Sequence, residues 1–123
     1  MGDSWIQLHQ HMSKYSDISV KSGEIHRIHI SDEDAARLAE LFSAFSDPSR
    51  LRIISSLTQG ELNVSAIADA AQLSESATSH HLRGLRQIRL VRARKQGRQV
   101  YYSLDDEHVK ELFQLGLDHV MHG

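Results

Sequence analysis

The tightest constraint on this chain lies between Val64 and Ile88, where two stretches of helical periodicity are separated by only Gln72-Leu73-Ser74. In the first stretch, about Val64 to Ala71, Ile67 and Ala68 are the inward candidates. In the second, Leu82, Leu85 and Ile88 recur at helical spacing. Ser74 is a good N-cap for the second, because a short side-chain oxygen accepts from a backbone N–H that the first helical turn leaves without a partner. A link this short forces two helices to turn sharply against each other, which is the helix-turn-helix signature.

The flanks extend the pattern. Ser31, with Asp34 three residues on, makes a capping-box-like pair; the helix it opens has Leu38, Leu41, Phe42 and Phe45 as its apolar face and should end near Ser46. Asp47-Pro48 reads as an N-cap with proline in the first turn, and predicts a helix through Leu51, Ile53, Ile54 and Leu57 that stops at Gly60. After Leu90 the period changes: Val91, Ala93, Val100 and Tyr102 flank Lys95-Gln96-Gly97, which predicts a β-hairpin with a basic tip. Asp105 is expected to cap a final helix through Val120. The expected fold class is therefore mainly α (α+β), a winged helix-turn-helix with a two-stranded β-hairpin wing and N- and C-terminal dimerisation helices. Residues 1–30 show no sustained period and read as a flexible N-terminal arm ahead of one domain, 31–123, a size suited to a single core.

A formal net charge of -2 conceals two opposed blocks. From Arg83 to Arg98 there are seven basic residues and no acidic one, whereas from Asp105 onward Asp105, Asp106, Glu107, Glu111 and Asp118 face a lone Lys110. Local charge, rather than the sum, governs nucleic-acid binding. At the start of the second helix of the turn, Ser74, Ser76, Thr78, Ser79 and His80 are short or hydrogen-bonding side chains where a recognition helix meets base edges, with Arg83 one turn further. Arg94, Lys95 and Arg98 on the hairpin are expected to reach flanking phosphates, which adds salt-dependent affinity but little sequence information. The expected partner is double-stranded operator DNA. RNA fits less well, since no aromatic stacking surface is evident.

The chain has no cysteine, so disulfides and thiolate metal sites are excluded and any metal must be held by nitrogen and oxygen. The final helix offers such donors: Asp106 and His108 near its start, His119 and His122 near its end. His119 and His122 are three apart and share a face. His108 precedes His119 by eleven residues, about 16 Å of helix, too far for one ion to bridge. Two copies of the helix packed antiparallel, centred near Gln114, would bring Asp106 and His108 of one to His119 and His122 of the other. Leu112 and Leu115 lie on the same stripe, and Gly116 permits close approach. Three imidazoles and a carboxylate suit Zn(II), with Co(II) as its mimic. His9, His11, His26 and His29 in the arm are weaker candidates.

Phe45-Ser46-Asp47-Pro48-Ser49-Arg50-Leu51, Ser79-His80-His81-Leu82-Arg83-Gly84-Leu85 and Lys95-Gln96-Gly97-Arg98-Gln99-Val100-Tyr101-Tyr102 resemble the recognisable motifs of the ArsR/SmtB family of metal-responsive repressors. The resemblance covers about Asp34 to His122. It implies a homodimer that represses metal-efflux or metal-storage genes and leaves DNA when metal binds. Some members sense metal through cysteines before the turn; Glu61-Leu62-Asn63-Val64 has none. Asp106, His108, His119 and His122 instead match the C-terminal-helix site of zinc- and cobalt-responsive members. The resemblance also implies an allosteric relay from metal-bound His119 to the backbone carbonyl of Arg89. Nickel-responsive relatives recruit terminal ligands, which makes Ni(II) with His9 and His11 the alternative, beside a metal-independent winged-helix regulator. No enzyme is expected: four ligands close the site, and no nucleophile motif accompanies it. With no membrane-spanning apolar run and no secretory leader pattern, the expected compartment is the cytoplasm.

Overall fold

The computed structural model describes residues 20–21, 24–25 and 28–123, with side chains described from residue 28 onward. Most of the expected arm, with His9, His11 and His26, lies outside the described residues. Within it Val20–Lys21 (β1) pairs antiparallel with Glu24–Ile25 (β2).

Helix α1, Asp32–Phe45, begins where Ser31 Oγ accepts from the Asp34 N–H at 3.1 Å. Helix α2, Pro48–Ser56, follows at once; Asp47 caps it by accepting from Arg50 N–H at 3.0 Å, and Pro48 occupies the first turn, where its missing N–H costs nothing. Leu62–Asn63 (β3) leads directly into α3, Val64–Ala71, whose N-cap is Asn63. Gln72 then adopts a left-handed conformation, φ 58°, and the Leu73 N–H donates to the Ala68 carbonyl at 3.0 Å. This is the Schellman stop, which turns the chain before Ser74 caps α4, Glu75–Gln87. Arg89, φ 59°, ends α4 in the same way, with Leu90 N–H on the Leu85 carbonyl at 2.9 Å.

Strands β4, Val91–Gln96, and β5, Gln99–Leu104, form the wing, paired from Val91↔Leu104 to Gln96↔Gln99. Gly97, φ 63°, sits at the first central position of the two-residue turn, where a positive φ favours glycine. The wing sheet is three-stranded, in the order β3-β5-β4, rather than two-stranded as the alternation predicts. Leu62 and Asn63 pair with Tyr102 and Tyr101, and two residues are too few to show a strand period. Helix α5, Glu107–His122, completes the chain.

The core gathers Ile53, Ile54, Leu57, Ile67, Ala71, Leu82, Leu85, Leu90 and Val91, so α2, α3, α4 and the base of the wing share one apolar centre. Helices α1 and α5 pack onto it, each contributing one buried residue, Ala44 and Val109. The result is a winged helix-turn-helix. Among the described residues, no helix is long and apolar enough to cross a membrane.

Candidate nucleic-acid interface and metal centre

Helix α4 is held by its back face. Leu82 and Leu85 are fully buried against the core, and an interhelical contact fixes the same helix to α2: Arg50 Nε–H donates to His81 Nδ1 at 3.4 Å, while His81 Nε2 lies 4.0 Å from Asp47 Oδ2. Arg50 lies against the helix beside Gly84, where a Cβ would make ordinary contact with its Nη2 at 3.4 Å. The opposite face is left outward. Ser76, His80 and Arg83 are exposed and Ser79 half-buried, and one turn beyond Arg83 the exposed Gln87 extends the stripe. Gln87 was absent from the expected set, although its four-residue spacing from Arg83 marks it.

Three of the expected DNA contacts are changed by the packing. Thr78 is 0% exposed, with its hydroxyl buried and without a hydrogen-bond partner, so it is a core residue and cannot touch DNA. Its spacing from Leu82 and Leu85 puts it on the buried stripe of α4. Ser74 Oγ is engaged as the cap, accepting from Ala77 N–H at 3.0 Å, and has only its own O–H left to donate. Arg94 is exposed but ion-paired: its Nη2 and Nε donate to the two oxygens of Glu61 at 2.6 and 3.2 Å. Lys95 and Arg98 remain exposed at the wing tip, on either side of the Gly97 turn.

The metal candidates fall into two pairs at opposite ends of α5. Asp106, not Asp105, is the N-cap; its Oδ1 accepts from Val109 N–H at 3.1 Å, and its Oδ2 lies 3.5 Å from His108 Nδ1. Zinc bonds of roughly 2.0–2.1 Å at a tetrahedral angle place two donors about 3.3 Å apart, so the Asp106–His108 spacing fits one edge of such a site. At the other end His119 and His122 line a common depression of about 540 Å³ with Leu112, Leu115 and Gly116. Asp118, absent from the expected donors, stands 3.5 Å from His122 Nε2 across one helical turn. Among the described residues of one chain, no three His, Asp or Glu side chains converge as a metal cluster. Arg89 is exposed at the stop after α4, and His29 is exposed ahead of α1.

Beside these pairs runs an apolar groove of about 410 Å³, lined by Phe42 and Phe45 of α1, Leu51 of α2, and Leu112, Phe113, Gly116, Leu117 and Val120 of α5. Val120 is 78% exposed, Phe42 50% and Leu117 49%.

Residues 47–93, from the α2 cap through the recognition helix into β4, match the family of bacterial regulatory proteins described as the arsR family. Over 91 residues the chain is 52% identical to the transcriptional repressor SmtB homolog of Synechocystis, covering 74% of this chain and 69% of that protein. It is 40% identical over 91 residues to the cadmium resistance transcriptional regulatory protein CadC homolog of Staphylococcus aureus, covering 73% of this chain and 75% of the relative. Among solved structures, the homodimeric winged helix-turn-helix DNA-binding domain Mb0332 of Mycobacterium bovis superposes with a TM-score of 0.66 at 34% identity, over 79% of this chain and 96% of that one.

Proposed function

This chain belongs to the ArsR/SmtB family of winged-helix transcriptional regulators, and on that premise we propose that it is a homodimeric repressor whose operator affinity falls when Zn(II) binds between the two C-terminal helices. Repression and DNA binding follow from the family and the fold. The metal, its ligands and the dimer geometry are our reading.

One observation carries that reading: two donor pairs sit at opposite ends of a single helix, Asp106 with His108 at its start and His119 with His122 at its end. Eleven residues of helix keep the pairs apart within one chain, so a four-donor site needs a second copy. Antiparallel α5 helices supply it twice, each site made by Asp106 and His108 with the partner subunit's His119 and His122, as two-fold symmetry requires. The apolar groove along Phe42, Leu117 and Val120 gives the second copy a surface to cover. When bound, the ion supplies a closed, redox-inert cross-link between protomers. The donors are nitrogen and oxygen alone, which disfavours metals that prefer thiolate.

On the DNA side, Ser76, Ser79, His80 and Arg83 face the major groove, Ser74 stands at the phosphate-facing helix start, and Lys95 and Arg98 contact backbone beyond it. The four donors must hold metal more tightly in the low-affinity dimer than in the DNA-competent one, and linkage then makes DNA weaken metal binding by the same factor. His119 is the relay: with one ring nitrogen on the metal, the other N–H is available to the Arg89 carbonyl, at the left-handed stop that ends the recognition helix. The deciding measurement is operator affinity of the metal-free dimer titrated with zinc, cobalt and nickel. Weakened binding with zinc, abolished in His122→Ala, is expected; equal affinity in chelator and in saturating zinc overturns the sensor reading.

A further inference from the structure

Arg94 differs from the other cations of the wing in having every guanidinium nitrogen engaged. Nη2 and Nε grip Glu61 at 2.6 and 3.2 Å, Nη1 donates to Gln96 Oε1 at 2.6 Å, and the plane lies 5.2 Å from the centroid of the Tyr101 ring. The register explains the convergence. Arg94 on β4 pairs with Tyr101 on β5, Tyr101 pairs with Asn63 on β3, and Glu61 lies two residues before Asn63, on the same face. The arginine therefore reaches across the middle strand, over its aromatic ring, to a carboxylate on the far side. A second cross-sheet bond, Asn63 Nδ2–H to Gln99 Oε1 at 3.3 Å, ties the same corner.

We propose that Glu61 is an internal counter-anion that occupies the fork of Arg94 and withholds it from the DNA backbone, setting how strongly the wing binds DNA of any sequence. A bidentate carboxylate takes the same two parallel donors that a phosphate takes, so the two ligands exclude each other. The tyrosine beneath the guanidinium fixes its plane toward the carboxylate. The Arg94 hydrogen bond holds the Glu61 carboxyl below its ordinary value of 4.5, and the same bond raises Arg94. A lowered carboxyl stays ionised throughout neutral pH and is protonated only as pH falls below that ordinary value, so the counter-anion keeps its charge where the wing meets DNA. Lys95 and Arg98, exposed at the tip, are left as the wing's phosphate contacts. The basic block read from the sequence thus overstates the charge that the wing presents.

This inference rests on DNA binding through the wing, not on the metal reading. The test is the salt dependence of binding to a fluorescein-labelled duplex of mixed sequence by the metal-free full chain, read as the slope of log affinity against log salt. Glu61→Gln should bind more tightly and steepen the slope by about 0.9 for each arginine that reaches a phosphate. The double variant Glu61→Gln/Arg94→Gln should return to the wild-type slope. Arg94→Lys keeps the charge without the fork and should also steepen it, which carries the test if Glu61→Gln does not fold. A Glu61→Gln slope equal to wild type overturns the inference. So does a double variant shallower than wild type, because Arg94 would then already contact phosphate with Glu61 in place. A salt slope unchanged in Lys95→Gln/Arg98→Gln would instead overturn the wing as a phosphate contact.

Discussion

Helices α4 and α5 are both amphipathic, yet one is finished within the chain and the other is not. Along α4, Thr78, Leu82 and Leu85 are all fully buried, while along α5 Val109 alone is buried, and not completely, and Leu117, Val120 and Met121 stand exposed. The DNA-facing helix also has a side-chain contact to α2 through His81 and Arg50. The difference teaches where each function is encoded. A recognition surface must be presented in one orientation, so its supporting contacts are intramolecular. A site that reports on the relation between two protomers has to leave its contacts to be made by a second copy.

The sharpest way to break this contrast is to charge the open face of α5. Val120 is so exposed that Val120→Arg should change the stability of the single chain by no more than about 0.5 kcal/mol. In the proposed dimer it would bury an unpaired charge, costing on the order of 3 kcal/mol, about a hundredfold in dissociation constant. Sedimentation is expected to show a dimer for the wild type and a monomer for the variant, with unchanged helical circular dichroism. Binding to a two-half-site operator should fall with dimerisation. A dimer as tight as wild type would place the interface elsewhere.

A smaller effect sharpens the α4 side. Thr78 Oγ1 is buried with no partner, an arrangement that costs roughly 1–3 kcal/mol relative to an apolar group of the same shape. Thr78→Val should therefore raise the urea midpoint, by about 1 kcal/mol of stability, and leave operator affinity as it was. A tenfold loss of affinity would return Thr78 to the DNA contacts.

What was legible in the sequence was local. Ser31, Asp47 and Ser74 cap the helices expected of them, and Val64–Ala71 has the expected bounds, because a cap is decided by residues three apart. The misreadings needed tertiary information or discriminated between equals. Thr78 looks like one more hydroxyl at a helix start until tertiary packing buries it completely. Glu61 and Arg94 are thirty-three residues apart, and only the β3-β5-β4 order brings them together. Asp105 and Asp106 are chemically the same cap one residue apart; the Asp105 N–H is held on the Leu90 carbonyl at 2.9 Å, and the cap falls on the second. The metal candidates were legible as a spacing; the division of labour within Asp106 was not.

That division yields the smallest expected effect and the cleanest separation of roles. Asp106 Oδ1 caps α5 on the Val109 N–H, and Oδ2 is the oxygen that faces His108. Asparagine caps a helix about as well as aspartate, but its amide is a poor substitute for an anionic metal donor. Asp106→Asn should therefore unfold at the wild-type urea concentration in the presence of chelator, yet bind zinc more weakly in a competition titration. Asp106→Ala should lose both, with a stability deficit of about 1 kcal/mol before any metal is added. If the asparagine variant binds zinc as tightly as wild type, Asp106 is a cap alone and leaves the donor set. If the alanine variant is as stable as wild type without metal, the capping bond contributes nothing, and the position of the carboxylate at the start of α5 is explained by the metal. In the proposed dimer the two oxygens would divide two tasks, Oδ1 holding the first turn of α5 and Oδ2 joining His108 and the partner subunit's His119 and His122 around the ion.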